Sequence, residues 1–227
     1  MAINFKINPT VLKSVSLFAS FSEQQITTLL SYVQHRSYPR NTYVMHAGEE
    51  TDSLYVVLSG KVKVIIADES GREVILGFMG PQDFFGEMGI LDDQPRSASV
   101  FTLEQCEMLR LSKAGFMNCL KEHSEVAMLV IRNLVKRLRA ADRKIESLAL
   151  VDVSGRVARL LMDLAQETGG KLVVPRVPAK QEIARMIGAS REMVSRVMKE
   201  LETRSLIRID RRSLVILDRD MSKSLKL

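Results

Sequence analysis

Between Tyr43 and Leu111 the chain is cut into short apolar runs: YVMHAG, SLYVVLSG, KVKVII, EVILGFMG, DFFGEM, SASVFT and CEMLRL. All but CEMLRL are rich in Val, Ile, Phe or Tyr. Gly48, Gly60, Gly71, Gly80, Gly86, Asp and Pro separate them at intervals of about ten residues. Strands this short, with turn signals this regular, close into an antiparallel barrel or a double-sheet jelly roll. The segment ADESGREV, from Ala67 to Val74, predicts a hairpin with Ser70 and Gly71 at its tip.

The flanking segments have a different period. SLFASFSEQQITTLLSYV carries Ser22 followed by Gln25, a capping box, and Ile26, Leu29, Leu30 and Val33 recur at helical spacing. A short helix is expected there. From about Lys113 the chain turns helical again. Ala127, Ile131, Leu134, Leu138, Ala141, Ile145 and Leu148 alternate spacings of four and three, the a/d seam of a coiled coil. A helix packed on its own domain shows a wider apolar face. Here the flanks are charged, with Arg132, Lys136, Arg137, Arg139, Asp142, Arg143, Lys144 and Glu146. The narrow seam predicts a parallel homodimer. A new helix starts at Asp152 or Ser154, with VDVSG as a hinge.

The last third holds two helical patterns in close order, PAKQEIARMIG and SREMVSRVMKELE. Gly188 and Ala189 join them, and Ser190 is placed to cap the second. Ile183, Ala184 and Ile187 face Val194, Val197 and Leu201, and small Ala184 with Gly188 suits a tight helix-turn-helix. SLIRIDRRSLVILD reads as a winged hairpin around Asp210, Arg211 and Arg212.

Charge follows this division. The net charge is +6, and residues 150–227 hold 16 Lys and Arg against 10 Asp and Glu, so the whole excess lies there. That is an electrostatic footprint for a polyanion. The first turn of a groove-reading helix contacts base edges. Arg191 can fork onto guanine O6 and N7, Glu192 can accept from cytosine N4, and Arg196 can reach a second guanine or a phosphate. Ser190, Lys199, Arg211 and Arg212 are candidates for backbone contacts that set register.

Other classes find little support. No GxxxxGK[ST], HExxH or GxSxG occurs, and no nucleophile–base or metal constellation appears, so an enzyme is not expected. Cys106 and Cys119 lie in no CxxC pair and predict buried or half-buried free thiols. His35, His46 and His123 are scattered, and no metal is expected. No apolar run reaches the roughly 18 residues of a membrane span. The N-terminus MAINFKINPT lacks a secretory layout, and the expectation is a cytoplasmic protein.

The stretch FFGEMGILDDQPRSASV brings together Gly86, Glu87, Arg96 and Ser97. Arginine is the best fork for a phosphate, and Ser97 with the N–H groups of Ser97 and Ala98 adds donors. Gly86 lets backbone approach a ligand closely. Glu87 beside an anion is a liability unless it accepts from a hydroxyl such as ribose O2′. A phosphate and a ribose hydroxyl held together describe a cyclic nucleotide.

These residues carry a resemblance. GEMGILDDQPRSASV looks like the phosphate-binding cassette of cyclic-nucleotide-binding domains. The order of jelly roll, long helix, LALVDVSGRVARLL and QEIARMIGASREMVSRVMKELE resembles the Crp/Fnr transcription regulators, from about Leu17 to Leu217. The resemblance implies an α+β chain: a jelly-roll effector domain at 1–122, a dimerisation helix and hinge at 123–151, and a winged helix-turn-helix at 152–227. It implies that Gly86, Glu87, Met88, Arg96, Ser97 and Ala98 hold the cyclic phosphate and ribose, with cyclic AMP as ligand, and that Arg191, Glu192 and Arg196 read a TGTGA-type half-site. It implies double-stranded DNA, a second copy of the chain and RNA polymerase as partners. In the family's cyclic AMP receptors a Thr-Ser pair on the dimer helix contacts adenine, whereas this chain has Ala141 and Asp142. Asp142 can accept from adenine N6, or from guanine N1–H and N2–H together, which leaves cyclic GMP and cyclic di-GMP open. A regulator active without nucleotide, and a nucleotide-binding adaptor without a DNA role, stay open as well. Arg137 lies one helical turn before Ala141, where it can couple pocket to helix. Fnr-type iron–sulfur sensing is not expected, since no cysteine cluster lies near the N-terminus.

Overall fold

The computed structural model describes residues 8–211 and 213–218. It divides into two compact units, the boundary falling between Arg137 and Leu138.

The first unit opens with α1 (Pro9–Lys13) and α2 (Glu23–Leu30). Ser22 and Gln25 form the expected capping box: Gln25 N–H donates to the Ser22 hydroxyl, and Ser22 N–H to the Gln25 amide oxygen. Eight strands follow: β1 (Val33–Tyr38), β2 (Tyr43–Met45), β3 (Ser53–Ser59), β4 (Val62–Ala67), β5 (Glu73–Met79), β6 (Phe84–Phe85), β7 (Ser99–Thr102) and β8 (Cys106–Ser112). They build two four-stranded antiparallel sheets, ordered β1-β8-β3-β6 and β2-β7-β4-β5. This is the jelly roll. Its interior is filled by Met45, Tyr55, Val57, Val62, Phe85, Val100, Cys106 and Met108. The first sheet is covered on its other face as well. Leu54, Val56, Leu109 and Leu111 pack there with Leu12, Phe18, Ile26 and Phe116. Burial on both faces explains why β3 reads as a continuous apolar run rather than an alternating one.

Strand β1 occupies ground where the sequence predicted the end of a helix. VQHRSY is an edge strand in which only Val33 is buried, so it has no strong period to read. The ADESGREV hairpin forms as expected. The Asp68 carboxylate accepts from the Ser70 hydroxyl and from the N–H groups of Ser70 and Arg72.

After α3 (Met88–Leu91), α4 (Lys113–Glu122) and the 27-residue α5 (Ser124–Leu150) complete the α-helices of this part. The first turns of α5 bury Val126 and Val130 in the domain core, and Leu134 packs against the same core. Leu134, on the expected seam, is partly buried here because the start of α5 covers the roll. The exposed large apolar residues on α5 are Met128, Leu129, Ile131, Val135, Leu138, Ile145, Leu148 and Leu150. Ala127 is half-buried and Ala141 exposed.

The second unit takes in the end of α5. Asp152 caps α6 (Val153–Leu164), accepting from Gly155 N–H at 2.7 Å. A hairpin absent from the sequence-based expectation comes next: β9 (Gln166–Thr168) and β10 (Lys171–Val174). Its turn residues Gly169 and Gly170 have φ of 57° and 73°, the double positive φ of a two-residue type I′ loop. Then come α7 (Lys180–Ile187), α8 (Arg191–Thr203), β11 (Ile207–Asp210) and β12 (Ser213–Ile216). The small sheet runs β11-β12-β10-β9. Val157, Leu161, Ile183, Ala184, Val194, Val197, Leu201, Leu214 and Ile216 form one core.

Cys106 and Cys119 are both buried and free. Among the described residues no helix is long and apolar enough to cross a membrane, and no cluster of metal-ligating side chains occurs.

Candidate functional site

Strand β6 pairs with β3 (Phe85 with Tyr55, Phe84 with Val56), and this fixes where the chain leaves the sheet at Gly86. Gly86 has φ of 87°, a region that favours glycine. A Cβ there would lie 2.4 Å from Arg96 Nη1 and 3.1 Å from the Ser53 carbonyl. The loop then returns through Asp92, Gln94 and Pro95. The Thr51 hydroxyl holds it by donating to the Gln94 carbonyl at 3.0 Å. Arg96 N–H donates to the Glu49 carbonyl, and Gly48 N–H to the Arg96 carbonyl.

The Arg96 side chain is drawn inward and is only 3% exposed. Its Nη1 donates to the Gly86 carbonyl at 2.9 Å, and Nη2 faces the Ser53 hydroxyl at 3.3 Å and Asp52 at 3.5 Å. The guanidinium carbon stands 6.0 Å from the centre of the Tyr55 ring. Burial works against its charge, and Tyr55, Asp52 and Glu49 support it; the net shift is downward. Asp52 also binds Arg110.

Glu87 is fully buried. Its Oε1 accepts from Arg137 Nη1 on α5 at 2.6 Å, while Oε2 is buried without a hydrogen-bond partner. Arg137 Nη2 donates to the Phe84 carbonyl, and its guanidinium lies 5.5 Å from the Phe84 ring centre. Burial pushes the Glu87 carboxyl above its usual range, and the Arg137 charge pulls the other way.

The structure therefore brings Gly86, Glu87, Arg96 and Arg137 into one cluster. Ser97 is placed differently: it is exposed, with its hydroxyl 3.8 Å from Met88 Sδ, and Met88 is itself exposed. Ala98 is buried. Arg96 and Ser97 thus face opposite ways in the chain as it stands. Ala141 and Asp142 lie further along α5, in the second unit, and both are exposed. Asp52, Ser53 and Tyr55, which surround Arg96, were missed from the sequence. The one signal for them is a polar pair set directly before the apolar run of β3.

In the second unit Gly188 adopts the left-handed conformation, with φ of 65°, at the end of α7. A Cβ there would lie 3.1 Å from the end of the exposed Leu148 side chain, so it is the left-handed backbone that favours glycine at this turn. Ser190 caps α8, its hydroxyl accepting from Met193 N–H at 3.2 Å. Lys180 Nζ donates to the Ser195 hydroxyl at 3.0 Å and ties α7 to α8. Val194, Val197, Met198 and Leu201 turn into the core, and Ser190, Arg191, Glu192, Arg196 and Lys199 remain exposed. Arg211 is exposed at the tip of the β11–β12 hairpin with φ of 52°. Arg212 lies outside the described residues.

Comparison with known proteins agrees with this layout. The cyclic nucleotide-binding domain model matches residues 35–123, and the Crp-like helix-turn-helix domain model matches residues 155–221. The chain is 36% identical over 190 residues to the cAMP-activated global transcriptional regulator Vfr of Pseudomonas aeruginosa, covering 81% of this chain and 89% of that one. It is 33% identical over 198 residues to a CRP-like cAMP-activated global transcriptional regulator of Mycobacterium tuberculosis, covering 86% and 88%. Among solved structures it is similar to the c-di-GMP responsive global regulator CLP of Xanthomonas campestris, with a TM-score of 0.73, 31% identity, and coverage of 87% of this chain and 100% of that one. A buried cassette closed by Arg96 and Glu87 stands ahead of a capped, basic-tipped helix-turn-helix, and relatives of this identity share nearly the whole chain; the protein belongs to the Crp/Fnr family of cyclic nucleotide-binding, DNA-binding transcription regulators.

Proposed function

We propose that the protein is a homodimeric transcription regulator, active in the cytoplasm, that binds cyclic AMP in the jelly roll and a palindromic TGTGA-type site through α8. The observation that carries the ligand-responsive part is the Glu87–Arg137 ion pair at 2.6 Å. It links the cassette directly to α5, the helix that continues toward the second unit.

Gly86, Glu87, Met88, Arg96, Ser97 and Ala98 would hold the phosphate and ribose. For this, Arg96 exchanges the Gly86 carbonyl for a phosphate oxygen and comes to act with Ser97. The unpartnered Glu87 Oε2 supports the reading, since a buried acceptor without a donor favours an incoming hydroxyl. The exposed apolar residues of α5 support pairing with a second copy, which sets two α8 helices against half-sites about 34 Å apart. Arg191, Glu192 and Arg196 would read base edges, with Ser190, Lys199, Arg211 and Arg212 on the backbone. The working boundaries are 1–122 for the effector domain, 123–151 for the dimer helix and hinge, and 152–227 for the DNA-binding domain. RNA polymerase is the further partner we propose.

One comparison favours a second effector: the 31% identical CLP is c-di-GMP responsive, and Asp142 would accept from guanine N1–H and N2–H if α5 brought it to the base. A DNA titration decides. The protein is mixed with a duplex carrying two inverted TGTGA half-sites, alone or with cyclic AMP, cyclic GMP or cyclic di-GMP. Cyclic AMP should lower the half-saturation concentration by about tenfold or more, a coupling of ordinary allosteric size. Enhancement by cyclic di-GMP instead, or by none of the three, overturns the assignment of the effector.

A further inference from the structure

We infer that Met193 is a specificity-determining residue of α8 that recognises the methyl group of a thymine; this rests on the DNA-reading role proposed above.

The remaining apolar residues of α8 are spoken for. Val194, Val197, Met198 and Leu201 are 0%, 7%, 3% and 0% exposed and fill the second-unit core. Met193 is 43% exposed, the one large apolar side chain of α8 left so among the described residues. A single exposed apolar residue is common on any surface, so its exposure alone carries no weight. Its place does. Met193 is the third residue of α8, directly after Arg191 and Glu192 and one turn before Arg196. Its backbone N–H is bound to the Ser190 hydroxyl at 3.2 Å, so the turn that presents it is fixed by the cap. A groove-entering helix meets base edges with this first turn.

The chemistry of its neighbours leaves one role unfilled. Arginine reads acceptors and glutamate reads donors. Neither senses the thymine C5-methyl, the apolar feature that a base pair displays in the major groove. Methionine suits this target. It is unbranched and polarizable, and three rotatable bonds let it settle against a methyl whose position varies with local groove shape.

The test is made on the full-length protein and the duplex with two inverted TGTGA half-sites. Each thymine of one half-site, on either strand, is replaced in turn by uracil, which removes the methyl and leaves every hydrogen-bonding group. The wild type should lose about four-fold in affinity at one thymine, the value of burying one such group. Met193→Ala, whose side chain leaves the core untouched, should bind the thymine and uracil forms of that duplex equally. Arg191→Ala should bind more weakly overall yet keep the methyl dependence. A Met193→Ala protein with the wild-type uracil profile, or a wild type indifferent to every uracil, would overturn the inference. A wild type that binds a scrambled duplex equally well would strike down the half-site reading, and the role of Met193 with it.

Discussion

Arg137 on α5 holds Glu87 of the cassette at 2.6 Å, with its second nitrogen on the carbonyl of Phe84. One side chain therefore closes both a buried carboxylate and the end of β6. Arg137→Ala would leave Glu87 buried and unpartnered. Breaking a buried pair costs about 3–5 kcal/mol; because the Arg137 side chain is 30% exposed, solvent screening lowers the expectation to about 2 kcal/mol. The pH dependence has a definite sign. Burial raises the Glu87 carboxyl, so the folded state binds its proton more tightly than the unfolded chain. Stability from this group is then greatest below the ordinary carboxylate range and falls as pH rises toward the raised value. Losing Arg137 should steepen that fall, so the gap between variant and wild type in urea melts should widen from acid to neutral pH. A gap independent of pH would refute the account.

Gly86→Ala tests the packing of the cassette. The new Cβ would meet Arg96 Nη1 at 2.4 Å, in a backbone conformation that side chains rarely adopt. Arg96 cannot retreat easily, since it is buried against Ser53 and Tyr55. A loss of roughly 1–3 kcal/mol is expected, visible as a lower urea midpoint. Calorimetry should also show weakened nucleotide binding; wild-type stability together with wild-type affinity would count against the geometry described.

Leu138 is 61% exposed on α5. If that surface joins two copies, Leu138→Asp removes an apolar contact from each side of the twofold. At about 1.5 kcal/mol per leucine, dimer dissociation should strengthen at least about a hundredfold. Sedimentation at micromolar concentration should then report monomer, while the wild type stays dimeric. A variant that sediments as the wild type does would move the interface elsewhere.

Cys119 is buried against the helical layer, and burial, with Glu122 adding to it, pushes its thiol up to about 11. The thiol should stay protonated, and slow to react with iodoacetamide, from neutral pH to about pH 10. Unfolding in urea should release it to ordinary reactivity. Rapid alkylation of Cys119 in the native protein at pH 8, read by peptide mass, would contradict this burial.

The elements most legible in the sequence were those whose signal is local. Glycine-punctuated runs became seven of the eight strands of the roll, and the Ser22–Gln25 box, the Asp152 cap and the Gly188 turn appeared where residue chemistry places them. Strand β1 escaped because VQHRSY buries one side chain and shows no period. The β9–β10 hairpin escaped although Gly169-Gly170 is a strong turn signal, because QET is wholly exposed and carries no apolar alternation.

Sequence by itself determined the order of the three segments, the family, and the clustering of Gly86, Glu87 and Arg96, since turn chemistry and residue spacing are local properties of the chain. Only the tertiary structure decided how those groups are used. Leu134 covers the roll because α5 must seal a sheet that is apolar on both faces. Arg96 faces inward because Ser53, Asp52 and Tyr55, over forty residues earlier, supply its partners. Such partnerships depend on distances between strands far apart in the chain, which no local pattern encodes.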